Sequence, residues 1–210
     1  MKRSREPKPR LVICGAGGFA REVFRWVQNH YHVVAFIADG EKENRDIFGI
    51  PVIAYPRTMH SGLFFMVAIG HPSAREQVHN RTLAAGLVPA PAFVHPSCVV
   101  GDTELGAGTI ICPGSIITTN VRIGTSVIIN IGCTIGHDTV IGSFSTLSPG
   151  ANISGNVIVG ELAYLGTGCS VREKVRVGSR STLGMGAALV KDLPENQVWG
   201  GVPAKLLVTG

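Results

Sequence analysis

The chain has 210 residues and a mass of 22.1 kDa, which is enough for one or two domains with a substantial core. Its 45% hydrophobic content excludes disorder over most of its length, and no apolar run approaches the roughly 18 residues of a membrane span. The net charge of +5 is concentrated in residues 1–10, so we expect a basic disordered tail there, and binding to neither nucleic acid nor membranes.

Residues 11–90 show the alternating pattern of a small α/β domain. Apolar runs predict three strands, and the segments after the first and third predict helices; the strands are 11–15, 33–39 and 64–70, and the helices 19–30 and 73–85. Strands that alternate with helices form a parallel sheet. We therefore predict a Rossmann-like nucleotide-binding domain over residues 11–90.

A glycine-rich loop lies between the first strand and the first helix of this domain. Residues 15–20, GAGGFA, fit the pattern G-x-G-x-x-[GA], and Asp39 follows about 20 residues later at the end of the next strand. A dinucleotide-binding domain is built from two βαβαβ halves, and residues 11–90 are long enough for only one of them before the repeat described below begins. The pattern therefore favours a nucleotide-sugar with its phosphates at the helix N-terminus. NAD binding and a loop of purely structural glycines remain as alternatives.

A six-residue repeat runs through residues 94–189 without insertion. The last position of each hexad, from Val99 to Leu189, is aliphatic, and a small residue stands two positions earlier, beginning with Ser97. This pattern predicts a triangular parallel β-helix with 18 residues per coil and coils about 4.8 Å apart, extending over residues 91–210. Glycine follows the aliphatic residue at positions where we expect unusual corner dihedrals: Gly106, Gly124, Gly136, Gly142, Gly160, Gly166, Gly178 and Gly184.

These hexads, with the closing segments 184–194 and 201–205, resemble the left-handed hexapeptide-repeat acyltransferases. The glycine loop, the segment Val67-Ala68-Ile69-Gly70, the segment Val94-His95-Pro96-Ser97 and the hexads together are similar to the bacterial nucleotide-sugar N-acetyltransferases of bacillosamine- and perosamine-type pathways. That family in turn resembles the sialic acid O-acetyltransferases. The resemblance implies a left-handed β-helix, a homotrimer, and acetyl-CoA as co-substrate in the groove between neighbouring prisms, without a metal. It implies acetyl transfer to the amino group, at C4, of a nucleotide-linked amino sugar.

The resemblance also implies where the nucleotide is held. In the family, the glycine loop, an acidic residue ending the second strand and the glycine ending the third strand contact the nucleotide. By position these are Gly17, Gly18, Phe19, Asp39 and Gly70. Relatives often carry paired acids where this chain has Ala38 and Asp39, so the resemblance leaves the preferred nucleobase open.

One histidine in the coils is a candidate general base. Acetyl transfer from a thioester needs a base for the attacking group and donors for the developing oxyanion. His137 is the only histidine in the coils after His95, and it occupies an outward-facing slot beside Asp138, which could accept a hydrogen bond from the imidazole. Because the family places its base in such a His–acid step, we predict His137 as the base and Asp138 as its partner. The alternative is a surface histidine.

The acetyl donor is expected to follow the coils beyond His137. Gly155 stands one coil later, outside the usual corner slot, so its N–H could face the thioester carbonyl, unless it is a plain loop glycine. Relatives place a donor-contacting glycine there and continue the donor past positions that map onto Thr167 and Met185. Thr146 replaces a second histidine that some relatives carry near the donor.

Several other assignments share parts of this pattern. Arg172, Lys191 and Lys205 could meet the coenzyme A phosphates or could be charges on a solvated face. A zinc hydratase on the same fold would need about three converging histidines, and the coils hold only His137. A sugar O-acetyltransferase would use the same base, and a non-catalytic trimer that binds nucleotide-sugar is the third alternative. Five cysteines without a CxxC pair predict thiols in a reducing cytosol, hence a cytoplasmic protein.

Overall fold

The computed structural model describes residues 7–40, 45–55 and 62–209, so residues 1–6 of the predicted basic tail lie outside the described residues. The predicted end of the tail at residue 10 is wrong, because Arg10 begins the first strand of the sheet. The chain divides into two compact units. The first comprises Met1–Ile69 and Gln77–Ala90, and the second comprises Gly70–Glu76 and Pro91–Gly210. The second unit thus takes in a short segment that the sequence pattern places in the N-terminal domain.

The first unit is built on a six-stranded sheet. Its strands are β1 (Arg10–Cys14), β2 (His32–Ile37), β3 (Asp46–Ile47), β4 (Ile50–Ile53), β5 (Phe64–Val67) and β6 (Val88–Pro89), in the order β3-β4-β2-β1-β5-β6. All neighbours are parallel except β3 and β4. Strand β1 pairs with both β2 and β5, and its residues Leu11 to Cys14 have no exposed surface. The predicted strand alternation is therefore that of a parallel sheet with a central β1.

Two helices accompany this sheet, α1 (Gly18–Val27) and α2 (Pro72–Ala84). Helix α1 buries Ala20, Val23, Phe24 and Val27, the i, i+3, i+4, i+7 spacing of one helix face. It ends three residues before the predicted end, because the amides of His30 and Tyr31 both turn back to the Val27 carbonyl. Neither of the two described helices has the length and apolar composition needed to cross a membrane.

The second unit is a parallel β-helix with three faces. Its strands in chain order are β7 (Phe93–Val94), β8 (Val99–Val100), β9 (Thr103–Leu105), β10 (Ile110–Ile111), β11 (Ile116–Ile117), β12 (Val121–Ile123), β13 (Ile128–Ile129), β14 (Thr134–Ile135), β15 (Val140–Ile141), β16 (Thr146–Leu147), β17 (Asn152–Ile153), β18 (Ile158–Val159), β19 (Tyr164–Leu165), β20 (Ser170–Val171), β21 (Arg176–Val177), β22 (Thr182–Leu183), β23 (Ala188–Leu189), β24 (Gln197–Gly200) and β25 (Lys205–Thr209). The first face is β7-β10-β13-β16-β19-β22-β24-β25, the second is β8-β11-β14-β17-β20-β23, and the third is β9-β12-β15-β18-β21. Only β25 is antiparallel to its neighbour, and it closes the first face.

The coils repeat every 18 residues, as the hexads predict. Ile111 pairs with Ile129, Ile117 with Ile135, and these aliphatic side chains are at most 1% exposed. Buried hydroxyls in the small slot connect neighbouring coils: Thr139, for example, donates to the Ser154 carbonyl at 3.1 Å and accepts from the Val157 amide at 3.4 Å. The Thr139 hydroxyl is therefore satisfied inside the core, whereas the buried Thr103 hydroxyl in the first coil has no hydrogen-bond partner among the described residues.

The first coil departs from the predicted register by one residue. Val100, not Val99, pairs with Ile117 on the second face, whereas Val99 pairs with the outward-facing Ile116 and is 64% exposed. Cys98, not Ser97, packs against the core beside it. The next inward residue, Leu105, follows only five positions after Val100, so the corner between the second and third faces is one residue shorter in this coil. The assignment of Val99 as the first inward residue is therefore wrong.

The predicted reason for the corner glycines is also wrong. The eight glycines that follow the aliphatic position have no left-handed dihedrals; those belong to other corner residues, such as Asn120 and Gly132. A Cβ on Gly136 would instead lie 2.5 Å from the amide nitrogen of Gly155 in the next coil, and one on Gly106 would lie 2.5 Å from the carbonyl carbon of Gly124. Close approach of stacked backbones, rather than corner conformation, explains these glycines.

Candidate functional site

The predicted base lies on an exposed corner of the β-helix. His137 follows strand β14 and the intervening Gly136, and its side chain is 58% exposed. Its Nδ1 lies 2.7 Å from a carboxylate oxygen of Asp138. An ionised carboxylate only accepts hydrogen bonds, so Nδ1–H is the donor, and the neutral ring keeps its lone pair on Nε2. The two predicted catalytic residues are thus in contact, with one ring nitrogen available as a proton acceptor.

A third side chain, which sequence reasoning missed, holds Asp138 from the preceding coil. The side-chain nitrogen Nδ2 of Asn120 donates to the second carboxylate oxygen of Asp138 at 2.5 Å. The bond from His137, followed by that from Asn120, lowers the pKa of Asp138, so its carboxylate is ionised at neutral pH. Asn120 and Asp138 both have left-handed backbones, which Asn and Asp adopt more readily than most residues. The sequence does contain a signal for this contact, because Asn120 precedes Asp138 by 18 residues, the length of one coil.

Gly155 stacks next to His137, as predicted from the coil length. The Asn156 amide donates to the His137 carbonyl at 2.8 Å, which places the two corners in adjacent coils. A Cβ on Gly155 would lie 2.6 Å from Nε2, 2.8 Å from Cε1 and 3.0 Å from Cδ2 of the imidazole. The ring therefore lies over the bare Cα of Gly155. Donation from the Gly155 N–H to a thioester remains a prediction, whereas the geometry shows that glycine makes room for the imidazole.

A shallow groove on the second face reaches this corner. It has a volume of about 250 Å³ and is lined by apolar and small polar side chains together with Gly136: Ile116, Thr118, Thr134, Asn152 and Ser154. The Thr134 hydroxyl donates to the Asn152 side-chain oxygen at 2.9 Å. The groove offers an extended ligand both apolar surface and hydrogen-bonding groups next to His137.

The other residues that are predicted to contact acetyl-CoA lie at the corner that precedes the second face. Thr167 and Met185 lie in successive coils, joined by a 2.9 Å bond from the Gly186 amide to the Thr167 carbonyl, and Met185 is 80% exposed. Thr146 is not with them. It lies on the first face, is 3% exposed, and donates to the carbonyl of Gly70 at 2.7 Å.

Two of the three basic candidates for phosphate contacts, Arg172 and Lys191, have side-chain partners. Arg172 pairs with Glu173 at 3.4 Å, and the Lys191 ammonium lies 5.2 Å from the centre of the Trp199 ring. Both basic residues line a mixed-charge groove of about 640 Å³ that also contains Glu173, Lys174 and Asp192. Among the residues that the structure describes, no three His, Cys, Asp or Glu side chains come together as a metal site. All five cysteines lie in the described ranges and form no disulfide.

In the first unit, the glycine loop leaves the start of α1 open. Gly15 is the structural member: its φ is +119°, and a Cβ there would meet the Ala68 carbonyl at 2.9 Å. Gly17 is the N-cap without a side-chain capping bond, and a Cβ added to it would find nothing within 4 Å. The Arg45 guanidinium donates to the Ala16 carbonyl at 3.3 Å, which brings a positive charge to this loop. Backbone N–H groups, the helix N-terminus and this cation together suit an anion.

Of the other predicted nucleotide contacts, Phe19 lies at the end of this loop, and Asp39 and Gly70 lie apart from it in the sequence. Phe19 packs edge-on against Trp26 at 6.3 Å. Asp39, just after β2, accepts from Arg81 at 2.9 and 3.0 Å, and the Arg81 guanidinium lies 3.7 Å from the Tyr55 ring centre. Asp39 is thus a partnered carboxylate, a feature that the pattern did not predict. Gly70 belongs to the second unit.

Comparison with known proteins gives consistent results for both halves. The family model of the PglD N-terminal domain matches residues 10–82. GDP-perosamine N-acetyltransferase of Escherichia coli is 31% identical over 139 residues, covering 60% of this chain and 61% of that protein, so the match spans less than two thirds of the curated relative.

Two solved structures superimpose over nearly the whole chain. The acetyltransferase domain of PglB from Neisseria gonorrhoeae has a TM-score of 0.88 and 30% identity, covering 95% of this chain and 100% of that domain. A perosamine N-acetyltransferase from Caulobacter crescentus, solved with CoA and GDP-perosamine, has a TM-score of 0.87 and 31% identity, covering 94% and 96%. The predicted fold, an α/β domain followed by a left-handed parallel β-helix, is confirmed. The chain therefore belongs to the nucleotide-sugar N-acetyltransferases of the hexapeptide-repeat superfamily.

Proposed function

We propose that this protein transfers the acetyl group of acetyl-CoA to the amino group, at C4, of a nucleotide-linked amino sugar. The observation that carries the proposal is the His137 ring, oriented by Asp138 and Asn120 and exposed next to a groove. The relative from Caulobacter crescentus, named a perosamine N-acetyltransferase, was solved with CoA and GDP-perosamine, including forms in which one histidine is replaced by asparagine or alanine.

In this mechanism, the sugar amine attacks the thioester carbonyl directly. A C–N bond forms while Nε2 of His137 takes a proton from the amine, and the ionised Asp138 stabilises the resulting imidazolium. The tetrahedral intermediate then collapses with cleavage of the C–S bond. The imidazolium returns its proton to the departing thiolate, so free CoA and the acetamido sugar leave and the base is regenerated.

The remaining predicted residues receive binding roles in the same proposal. Gly155 offers its N–H to the carbonyl oxygen, and the corner of Thr167 and Met185 guides the donor. Gly17, Gly18 and Phe19 hold the nucleotide phosphates at the start of α1, which carries no acidic residue in its first turn. Asp39 and Gly70 contact the rest of the nucleotide-sugar.

We also propose a homotrimer in the cytoplasm. Large apolar side chains are exposed on the second face and near the closing segment, including Val99 (64%), Ile116 (45%) and Val202 (77%), and these favour burial against another copy. Light scattering should give about three times the 22.1 kDa chain mass. A stable monomer at micromolar concentration would contradict the trimer. The cytoplasm is proposed because acetyl-CoA is available there and all five cysteines remain thiols.

The decisive experiment is a thioester-cleavage assay with a panel of acceptors. The purified protein is incubated with acetyl-CoA and with UDP-, GDP- and dTDP-linked 4-amino sugars, and both thiol release and the acetylated product are measured. Each amino sugar is matched with its 4-hydroxy counterpart. We expect turnover only with an amino acceptor and its loss in His137→Ala. Equal turnover of the hydroxyl partner would show an O-acetyltransferase, and binding without turnover would show a non-catalytic protein.

A further inference from the structure

The segment Gly70–Glu76 has an unusual place in the fold. It follows β5, a strand of the first unit, and contains the first turn of α2, yet it belongs to the same compact unit as the coils. Gly70 also carries a predicted contact with the nucleotide-sugar. What holds this segment on the coils therefore bears on how the acceptor is placed.

Arg75 is the main anchor of the segment. Its side chain is 1% exposed, and its guanidinium donates to four backbone carbonyls: Nε to Ser126 at 2.8 Å, Nη1 to Gly70 at 2.9 Å, and Nη2 to Phe144 at 2.5 Å and Ser145 at 3.0 Å. Burial lowers the pKa of Arg75 to about 9, which still leaves the group charged at neutral pH. Ser126 and Phe144 are equivalent corner residues of two successive coils. One buried cation thus joins the segment to both.

Thr146 holds the same carbonyl from another direction. It lies on the outer side of β16, is 3% exposed, and its hydroxyl donates to the Gly70 carbonyl at 2.7 Å. The Gly70 oxygen therefore accepts from both Arg75 and Thr146, which occupies both of its lone pairs. On the Cα side the space is open, since a Cβ added to Gly70 would meet nothing within 4 Å.

We propose that Arg75 and Thr146 are positioning residues that hold the Gly70 carbonyl and so present the open side of Gly70 to the acceptor. The inference rests on the proposed function, in which Gly70 contacts the nucleotide-sugar. Because Gly70 and His137 lie in the same compact unit, the hydrogen bonds from Arg75 and Thr146 hold a substrate contact in the unit that also contains the base. Thr146, at a position where some relatives carry a histidine near the donor, then acts on the acceptor.

The test uses a substitution that removes one bond and little volume. In Thr146→Val the hydroxyl is lost, and in Thr146→Ser it is kept. Thr182→Val is the matched control, because Thr182 stands two coils later on the same face, paired with Tyr164 and Val198. Steady-state kinetics are measured with acetyl-CoA and the amino-sugar nucleotide that the wild type acetylates fastest, with GDP-perosamine as the first probe. Hydrogen exchange of the backbone amides of residues 70–76 is measured on the same proteins without any ligand.

We expect Thr146→Val to raise the acceptor KM five- to tenfold, while kcat and the KM for acetyl-CoA stay within twofold. Exchange in residues 70–76 should accelerate at least tenfold. Thr146→Ser and Thr182→Val should behave like the wild type. Arg75→Lys offers one nitrogen in place of three, so the acceptor KM of this variant should exceed that of Thr146→Val. If Arg75→Lys does not fold, the Thr146→Val data alone test the positioning role.

Two results would contradict the proposal that Arg75 and Thr146 position Gly70 for the acceptor. One is unchanged exchange in Thr146→Val. The other is accelerated exchange with an unchanged acceptor KM, or with a loss confined to kcat and thermal stability, because these belong to a purely structural contact. If the wild type acetylates no amino-sugar nucleotide, the proposed function fails and the positioning role fails with it. The exchange data then still show whether Thr146 holds the segment.

Discussion

Replacement of Gly155 by alanine tests whether the bare Cα beneath the imidazole matters for catalysis. The substitution keeps the backbone N–H, and Gly155 does not have a left-handed backbone, so alanine fits its conformation. Thr119 and Glu173 occupy the equivalent corner position in other coils and carry side chains there. The corner itself therefore accepts a Cβ. What distinguishes Gly155 is the His137 ring lying over it.

The size of the effect follows from the distances. A new Cβ would stand 2.6 Å from Nε2 of His137, whereas ordinary van der Waals contact begins at 3.4 Å, so the ring must move by about 0.8 Å. That movement pulls against the 2.7 Å bond that holds Nδ1 on Asp138. A misplacement of roughly 1 Å at a reacting group can cost about 10²-fold in rate. We expect kcat to fall about 10²-fold, roughly 2.7 kcal/mol of transition-state stabilisation, while the melting temperature is unchanged or slightly higher.

The assay is thiol release from acetyl-CoA with a saturating amino-sugar nucleotide. Glu173→Ala, at the same corner position one coil later, is the control and should keep wild-type turnover. Gly155→Ala is also made in the His137→Ala background, where there is no ring to displace. There it should cause no further loss, and CoA should bind within twofold of the parent.

Two results would refute this reasoning. Turnover of Gly155→Ala within threefold of the wild type would show that the imidazole does not depend on the bare Cα. A further large loss in the His137→Ala background, or a tenfold weaker affinity for CoA, would show that the new methyl blocks the donor rather than the base.

Three further predictions concern the same residues and the glycine loop. His137→Ala should lower kcat by roughly 10²–10⁴-fold with an unchanged fold by circular dichroism, and Asp138→Asn should lower it less, since Asn accepts the left-handed backbone and keeps a side-chain acceptor; near-normal turnover of His137→Ala would exclude it as the base. Asn120→Gly removes a hydrogen bond that lowers the pKa of Asp138, so a carboxyl NMR titration should show that pKa rising toward its usual value. A carboxyl whose pKa is lowered by folding stabilises the folded state while it is ionised, and this stabilisation is lost as the pH falls through the acid range. The variant has less of it to lose, so its stability should fall less than that of the wild type; an unchanged pKa of Asp138 would contradict this. Gly17→Val should raise the acceptor KM at least tenfold, roughly 1.4 kcal/mol, with acetyl-CoA affinity within twofold, and an unchanged KM or tight NAD binding would reassign the loop.

The hexads show how far a local pattern reaches. Each aliphatic residue recurs every six positions because each face of the prism takes one large inward side chain per coil, so the pattern predicts the strands and the 18-residue coil. From that number alone, Gly155 could be placed beside His137. The same arithmetic also reaches Asn120, which lies one coil before Asp138.

Where the pattern was misread, the cause lies in contacts between coils. A strict six-residue count places Val99 inward in the first coil, whereas the short corner before Leu105 places Val100 there instead. Local dihedrals do not account for the corner glycines, because the backbone of the next coil is what excludes their side chains. Neither a missing corner residue nor a neighbouring backbone is visible in a single hexad.

Helix α2 is the clearest case in which sequence reasoning could not choose a face. Beyond Pro72, its buried positions are Arg75, His79 and Thr82, spaced like a core stripe but polar. An apolar stripe predicts its own burial, whereas a polar stripe is buried only if the surrounding structure supplies hydrogen bonds. For Arg75 those bonds come from coil carbonyls more than 50 residues away in the chain, whereas Thr82 donates to the Val78 carbonyl within the helix.

The sequence by itself determined the two-part fold, the coil length and the exposure of the His137–Asp138 step, because each depends on periodicity within a few tens of residues. Only the tertiary structure decided that Asn120 holds Asp138, that the imidazole rests on Gly155, that Arg81 pairs with Asp39, and that Arg75 and Thr146 hold Gly70. Each of these is a hydrogen bond or close contact between segments distant in sequence. Whether such a contact forms depends on where the intervening backbone places its polar atoms, which no local pattern of residues specifies.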